Sequence, residues 1–186
     1  MKSLYVFFLL YIATGLTSCK KTDLEVELAK LPVATEEGRS TFGCLINGKA
    51  FLPDNGCYFF LCKGPMKNWY VLRTGELNID VEFSKPESYQ YLSITIKNCF
   101  APGIFEVNNS PLSNVLISYR ANKDRKPGCE TFYQNDTTVI KSGFIRITKI
   151  DKVNRITSGL FEFNLQKPGC DEVKVTNGRF DLKYWL

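Results

Sequence analysis

From Leu77 onward the chain alternates apolar and polar residues with a period of two. Leu77, Ile79, Val81 and Phe83 interleave with Glu76, Asn78, Asp80 and Glu82, the pattern of a strand with one face in a core and the other toward water. Leu92, Ile94 and Ile96 repeat it against Tyr91, Ser93, Thr95 and Lys97. Phe161, Phe163 and Leu165 do so against Glu162, Asn164 and Gln166, and Phe180, Leu182 and Tyr184 against Arg179, Asp181 and Lys183. Gly and Pro break these runs at Gly75, Pro86, Pro102-Gly103, Pro127-Gly128 and Pro168-Gly169. Asn47-Gly48 between two apolar runs predicts a tight hairpin. Asn177-Gly178 fits a hairpin or a bulge, because the apolar parity changes across it. About nine to eleven short strands of this kind predict an all-β fold, mostly antiparallel, built as a single-domain sandwich or a partly closed barrel.

The texture before Thr41 is different. Leu24, Leu28 and Leu31 fall at i, i+4 and i+7, which predicts a short amphipathic helix that Pro32 stops. The rest of 19–40 is polar and reads as a flexible tether, so the β-rich domain is placed at 41–186. Ahead of the tether, Lys2 precedes thirteen largely apolar residues from Leu4 to Leu16, then Ser18 and Cys19. That stretch is shorter than the ~18 residues a membrane span needs, and the order of basic, apolar and small residues before a cysteine reads as a lipoprotein signal peptide over 1–18. Cys19 is then the lipidated residue, its thiol joined to a diacylglycerol, and the chain meets a membrane through that N-terminal lipid. The predicted location is the outer membrane, lipid-anchored and either periplasmic or surface-facing.

Export implies an oxidising compartment, which changes the reading of the cysteines. Of seven, Cys44, Cys57, Cys62, Cys99, Cys129 and Cys170 remain after Cys19 as disulfide candidates, and six allow 15 pairings. Cys129 and Cys170 share a Lys-Pro-Gly-Cys context and form the favoured pair. Cys44 lies within Phe42-Gly43-Cys44-Leu45-Ile46 and also fits a buried thiol. No Cys-x-x-Cys occurs and the histidine count is zero, so no metal site and no cofactor are predicted. The same zero removes Ser-His-Asp and Cys-His catalysis.

A composition of 44% hydrophobic and 23% charged residues argues against disorder, and a net charge of +5 without a basic, aromatic-laced face argues against nucleic acid as a partner. Glu162 and Asp181 are the acids best placed for a carboxylate pair, yet both alternate away from the aromatic positions and read as solvent-facing, with Arg179 and Lys183 beside Asp181. Trp69 and Tyr70, after the Gly64-Pro65 turn, are the candidate ligand-binding aromatics. Asp136-Thr137-Thr138 resembles a Bacteroidota O-glycosylation site, with Thr137 as acceptor.

Thr41-Phe42-Gly43-Cys44-Leu45-Ile46-Asn47-Gly48-Lys49 resembles the opening of small Bacteroidota cell-envelope lipoproteins whose β-rich domain has no known function. Ile145-Arg146-Ile147-Thr148-Lys149, Gly159-Leu160-Phe161-Glu162-Phe163 and the closing Gly178-Arg179-Phe180-Asp181-Leu182-Lys183-Tyr184 agree with it. The resemblance implies a β-rich envelope lipoprotein and carries no catalytic residues. The leading expectation is thus a lipid-anchored, non-catalytic cell-envelope protein whose β-domain binds a ligand, a glycan or an envelope protein. The alternatives are a carboxylate-based hydrolase acting on envelope or extracellular glycans, and an inhibitor or purely structural envelope lipoprotein.

Overall fold

Strands with one apolar face need a second layer to bury it, and the computed structural model supplies one. It describes residues 22–53, 57–58, 61–62, 66–85, 88–122 and 125–184, with 57–58, 61–62 and 85 as backbone alone; the expected signal peptide over 1–18 and Cys19 lie outside these. A six-stranded antiparallel sheet runs β2 (Lys49–Phe51), β1 (Thr41–Ile46), β13 (Val173–Lys183), β12 (Ile156–Gln166), β11 (Ile140–Asp151), β8 (Gly103–Val107). A five-stranded one runs β10 (Thr131–Phe132), β9 (Val115–Ala121), β7 (Ser88–Ile96), β6 (Glu76–Lys85), β5 (Met66–Val71). A two-stranded ribbon joins β3 (Cys57–Tyr58) to β4 (Leu61–Cys62).

The fold is an all-β sandwich. No closed barrel forms among the described residues, because each large sheet ends on edge strands, β2 and β8 in one and β10 and β5 in the other. The described residues hold thirteen strands rather than nine to eleven; the surplus is β3, β4 and β10, two residues each, too short to show alternation.

Between the sheets, Leu77, Ile79, Leu92, Ile94, Ile96 and Ile117 from one layer meet Phe42, Phe161, Phe163, Phe180 and Leu182 from the other, all buried. Phe161 is the hub, stacked on Phe42 at 5.4 Å and on Phe163 at 6.0 Å between ring centroids. Asn47 and Gly48 form the two-residue turn of the β1–β2 hairpin with φ of 49° and 78°, the left-handed pair that such hairpins favour. Asn177-Gly178 is not a turn. It lies inside β13, where the register with β12 shifts, and an added Cβ at Gly178 would overlap the Phe161 ring. Gly178→Val should therefore lower stability by about 2 kcal/mol in chemical denaturation, the usual cost of overpacking.

The Lys-Pro-Gly-Cys repeats fold alike. The Cys129 amide donates to Lys126 O and the Cys170 amide to Lys167 O, with Gly128 and Gly169 at φ of 83° and 76°, as four-residue turns with Pro-Gly at their centre require. These turns bring the cysteines together in a disulfide with Cα atoms 5.6 Å apart, which ties the approach to β10 to the β12–β13 connection and so joins the two sheets. Cys44 and Cys99 are not disulfide-bonded; both are free and buried. Burial raises the Cys44 thiol pKa and pushes Cys99 up to about 12, so each packs as a small apolar side chain. The backbone register sets Cys57 opposite Cys62; their side chains lie outside those described.

The expected flexible tether is docked over residues 22–40. Thr22 and Glu25 form a capping box for the helix α1 (Asp23–Leu28), and the amide of Ala50 in β2 donates to Glu27 at 2.8 Å. Leu31 is buried, and Pro32 packs over Gly43, where a side chain would block it. Lys149 Nζ then donates to Glu36 O at 2.8 Å. The helix forms but ends at Leu28, short of Leu31 and Pro32, and buries none of its residues; the polar residues after it find their partners far along the chain.

Candidate ligand-binding site

Asp181 faces outward from β13, as alternation requires, but it does not face solvent. Residues 35–39 cross over it. Thr35 Oγ1 donates to its carboxylate at 2.6 Å, the amides of Glu37, Gly38 and Arg39 at 3.0, 2.7 and 3.1 Å, and Ser158 Oγ at 2.8 Å. Burial by itself would raise its pKa, but the bonds from Thr35, Arg39, Gly38 and Ser158 outweigh it and hold the carboxyl at about 2. Its oxygens are occupied by structural donors. Glu162 is exposed and lies four positions along β12 from Ser158, the register partner of Asp181. The two acids do not share a cleft, and the pair that a hydrolase would draw on is not assembled. Among the described residues no group of three or more Cys, Asp or Glu is placed to hold a metal ion.

The two candidate aromatics separate because neighbours in a strand point to opposite faces. Tyr70 points inward and is 1% exposed. Its hydroxyl donates to Cys99 O at 2.8 Å and its ring lies 5.0 Å from Tyr184. As a ligand-binding residue Tyr70 is overturned; it belongs to the core. Trp69 points outward and is 37% exposed, opposite Asn78 of β6.

The outer face of the five-stranded sheet carries a denser cluster. Tyr89 and Tyr91 project from β7, and Tyr91 sits in register between Glu82 of β6 and Arg120 of β9. Tyr133, half exposed after β10, accepts from Arg120 Nη2 at 2.8 Å. Tyr91 donates to Asp80 at 2.9 Å. The three rings, Ser118 and Arg120 border a shallow groove of about 210 Å³. The Tyr133 hydroxyl holds the Arg120 pKa up, and among the described residues no carboxylate pairs with that guanidinium. Burial raises the Tyr89 and Tyr91 phenols, which keeps them protonated as donors at neutral pH.

One step along the strands lies a polar row, Lys67, Asp80, Ser93 and Ser118, in register across four strands. One step further is the row of Trp69, Asn78, Thr95 and Leu116. Trp69 thus shares the face of the tyrosine groove without lining it, its row displaced roughly 14 Å along the strands at 3.4 Å per residue and Trp69 itself two strands away from β7. Tyr89 and Tyr91 are candidate sugar-stacking rings on the sequence alone; their partners Ser118, Arg120 and Tyr133 are not, because they come from β9 and the segment after β10. The cluster's only trace along the chain is Tyr89 and Tyr91 at polar positions of an alternating run.

Thr137 lies exposed in the turn before β11. Its neighbour Thr138 bonds to Asp136 through its amide at 3.0 Å and its hydroxyl at 2.6 Å, which fixes the turn and leaves Thr137 outward.

No known protein family, curated protein or solved structure matches this chain.

Proposed function

We propose that this chain is a lipid-anchored, non-catalytic cell-envelope protein of the Bacteroidota type, attached to the outer membrane through Cys19, whose sandwich binds a glycan. The reading is carried by one observation: three tyrosines gather round an arginine that no carboxylate among the described residues pairs with, on an open sheet face. A sugar ring has an apolar face of C–H groups and a rim of hydroxyls. Tyr89, Tyr91 and Tyr133 offer flat rings at low entropic cost to the first, and Arg120, Ser118 and Asp80 offer donors and acceptors to the second. The polar row with Trp69 beyond it suits a ligand longer than one sugar. Thr137 joins the proposal as an accessible acceptor for O-glycosylation.

The test is binding of the native lipoprotein, in neutral detergent, to a panel of envelope and extracellular polysaccharides. Tyr91→Ala and Arg120→Ala should each weaken the binding found by at least tenfold, as truncating a Tyr or Arg hot spot does, with the thermal midpoint little changed. Absence of any polysaccharide ligand, or affinity unchanged in both variants, rejects the proposal. A mature N-terminus that carries no acyl groups on Cys19 rejects its anchoring half.

A further inference from the structure

A second recess opens at the end of the sandwich that holds the β1–β2 turn, between the two sheets. It measures about 490 Å³, and its walls include Lys49, Ser88, Gln90, Tyr119, Arg125 and Asp171. We propose that this cleft binds a phosphate-bearing anion, with Arg125 and Lys49 as charged partners and Ser88 and Gln90 as neutral donors.

Arg125 carries the argument. It is half-buried, and its guanidinium lies 5.6 Å from the Tyr119 ring centroid and 6.0 Å from that of Phe132. Two rings therefore position the charge while no carboxylate among the described residues lies within ion-pair distance of it. Asp171, the acid on the cleft wall, is held by Lys126 at 3.3 Å. Glu27, the acid whose pKa Lys49 helps to lower, is already bound by Lys30 and the Ala50 amide. Among the described residues, then, neither cleft cation has a carboxylate within ion-pair distance that is not already bound elsewhere. Gln90 Oε1 accepts from the Tyr119 hydroxyl at 3.1 Å, which turns its amide so that Nε2 remains to donate. A guanidinium and an ammonium that line one cleft with neutral donors suit phosphate oxygens.

The phosphate has two possible sources, a lipid headgroup and a soluble phosphate compound. The docked N-terminal segment bears on the choice. Its contacts move from the Asp181 level at residues 35–39, past Gly43 at Pro32, to Ala50 at Glu27. Followed toward Thr22, the segment approaches the end of the sandwich where the cleft opens. If Cys19 is acylated, that end faces the headgroups; this step alone rests on the lipid-anchor reading, and none of it rests on glycan binding.

The experiment titrates the native lipoprotein in neutral detergent with inorganic phosphate, followed by calorimetry and 31P line broadening. Saturable binding is expected, weakened about tenfold in Arg125→Gln and in Lys49→Gln. Lys49 is exposed, so its variant reports on the site even if loss of Arg125 disturbs Tyr119 and Phe132. No saturable binding, or equal affinity in wild type and Lys49→Gln, overturns the proposal. The same titration in phosphatidylcholine vesicles with and without phosphatidylglycerol, at ionic strength high enough to screen surface charge, separates the sources. Competition by phosphatidylglycerol assigns the cleft to a headgroup; unchanged phosphate affinity assigns it to a soluble phosphate compound.

Discussion

Replacing Cys129 and Cys170 together by alanine is expected to lower the unfolding free energy by about 4 kcal/mol, the largest effect of any change considered for this protein. The bridge spans 41 positions, and a loop of that length removes roughly this much conformational freedom from the unfolded chain in the entropic account of disulfides. The bridge also joins segments that belong to different sheets. On one side, Cys129 leads into β10, which pairs with β9 through just two register positions. On the other, Cys170 sits in the β12–β13 connection. Without the bond, the 125–132 segment retains its packing through Phe132 and Arg125 but loses its covalent hold on the six-stranded sheet. Denaturant titration of the double variant should show the lowered midpoint, and hydrogen exchange should speed first in 125–132.

Removal of the Asp181 carboxylate is expected to cost nearly as much. Asp181→Ala leaves three amides and two hydroxyls without their acceptor beneath residues 35–39, a loss of about 3 kcal/mol for charge-assisted bonds in a buried place. The 35–39 segment should lift from the sheet, and trypsin should then cut after Arg39 much faster than in the wild type. Asp181→Asn keeps the shape and loses the charge, so its cost is smaller, roughly 2 kcal/mol. The pH dependence has a definite sign. The folded pKa of about 2 lies below the ordinary 3.8, so the ionised group stabilises the fold fully above the ordinary value. That contribution fades as pH falls from about 4 to 2. Stability measured down this window should drop in the wild type by about 2 kcal/mol more than in Asp181→Asn.

Asp181 also shows where reading along the chain succeeds and where it stops. Alternation placed it on the face opposite Phe180 and Leu182, and that was right. Alternation does not say whether the face is covered, and here a segment some 140 positions earlier covers it. The same physics explains the aromatics. Trp69 and Tyr70 are adjacent, so they cannot share a face, but the polar Asn68 at an inward position of β5 hides which of the two goes in. The Lys-Pro-Gly-Cys repeats were legible because Pro-Gly fixes a turn locally whatever surrounds it. The tyrosine groove and the end cleft were not, since each assembles residues from separate strands and connections whose pairing order the sequence does not state. Cys44 illustrates a milder case: its apolar run left burial open beside crosslinking, and the inner face of β1 buries it as a free thiol.

We propose that the outer face of the five-stranded sheet, at Tyr89, Tyr91, Tyr133 and Arg120, is where this protein meets a glycan. Hydroxyl-radical footprinting of the native protein, with and without saturating polysaccharide from the cell envelope, reads that face directly. Oxidation of Tyr91 and Tyr133 should fall severalfold on binding, while the exposed Phe100 at the far turn stays unchanged. Bound polysaccharide that leaves both tyrosines as reactive as before would contradict the account.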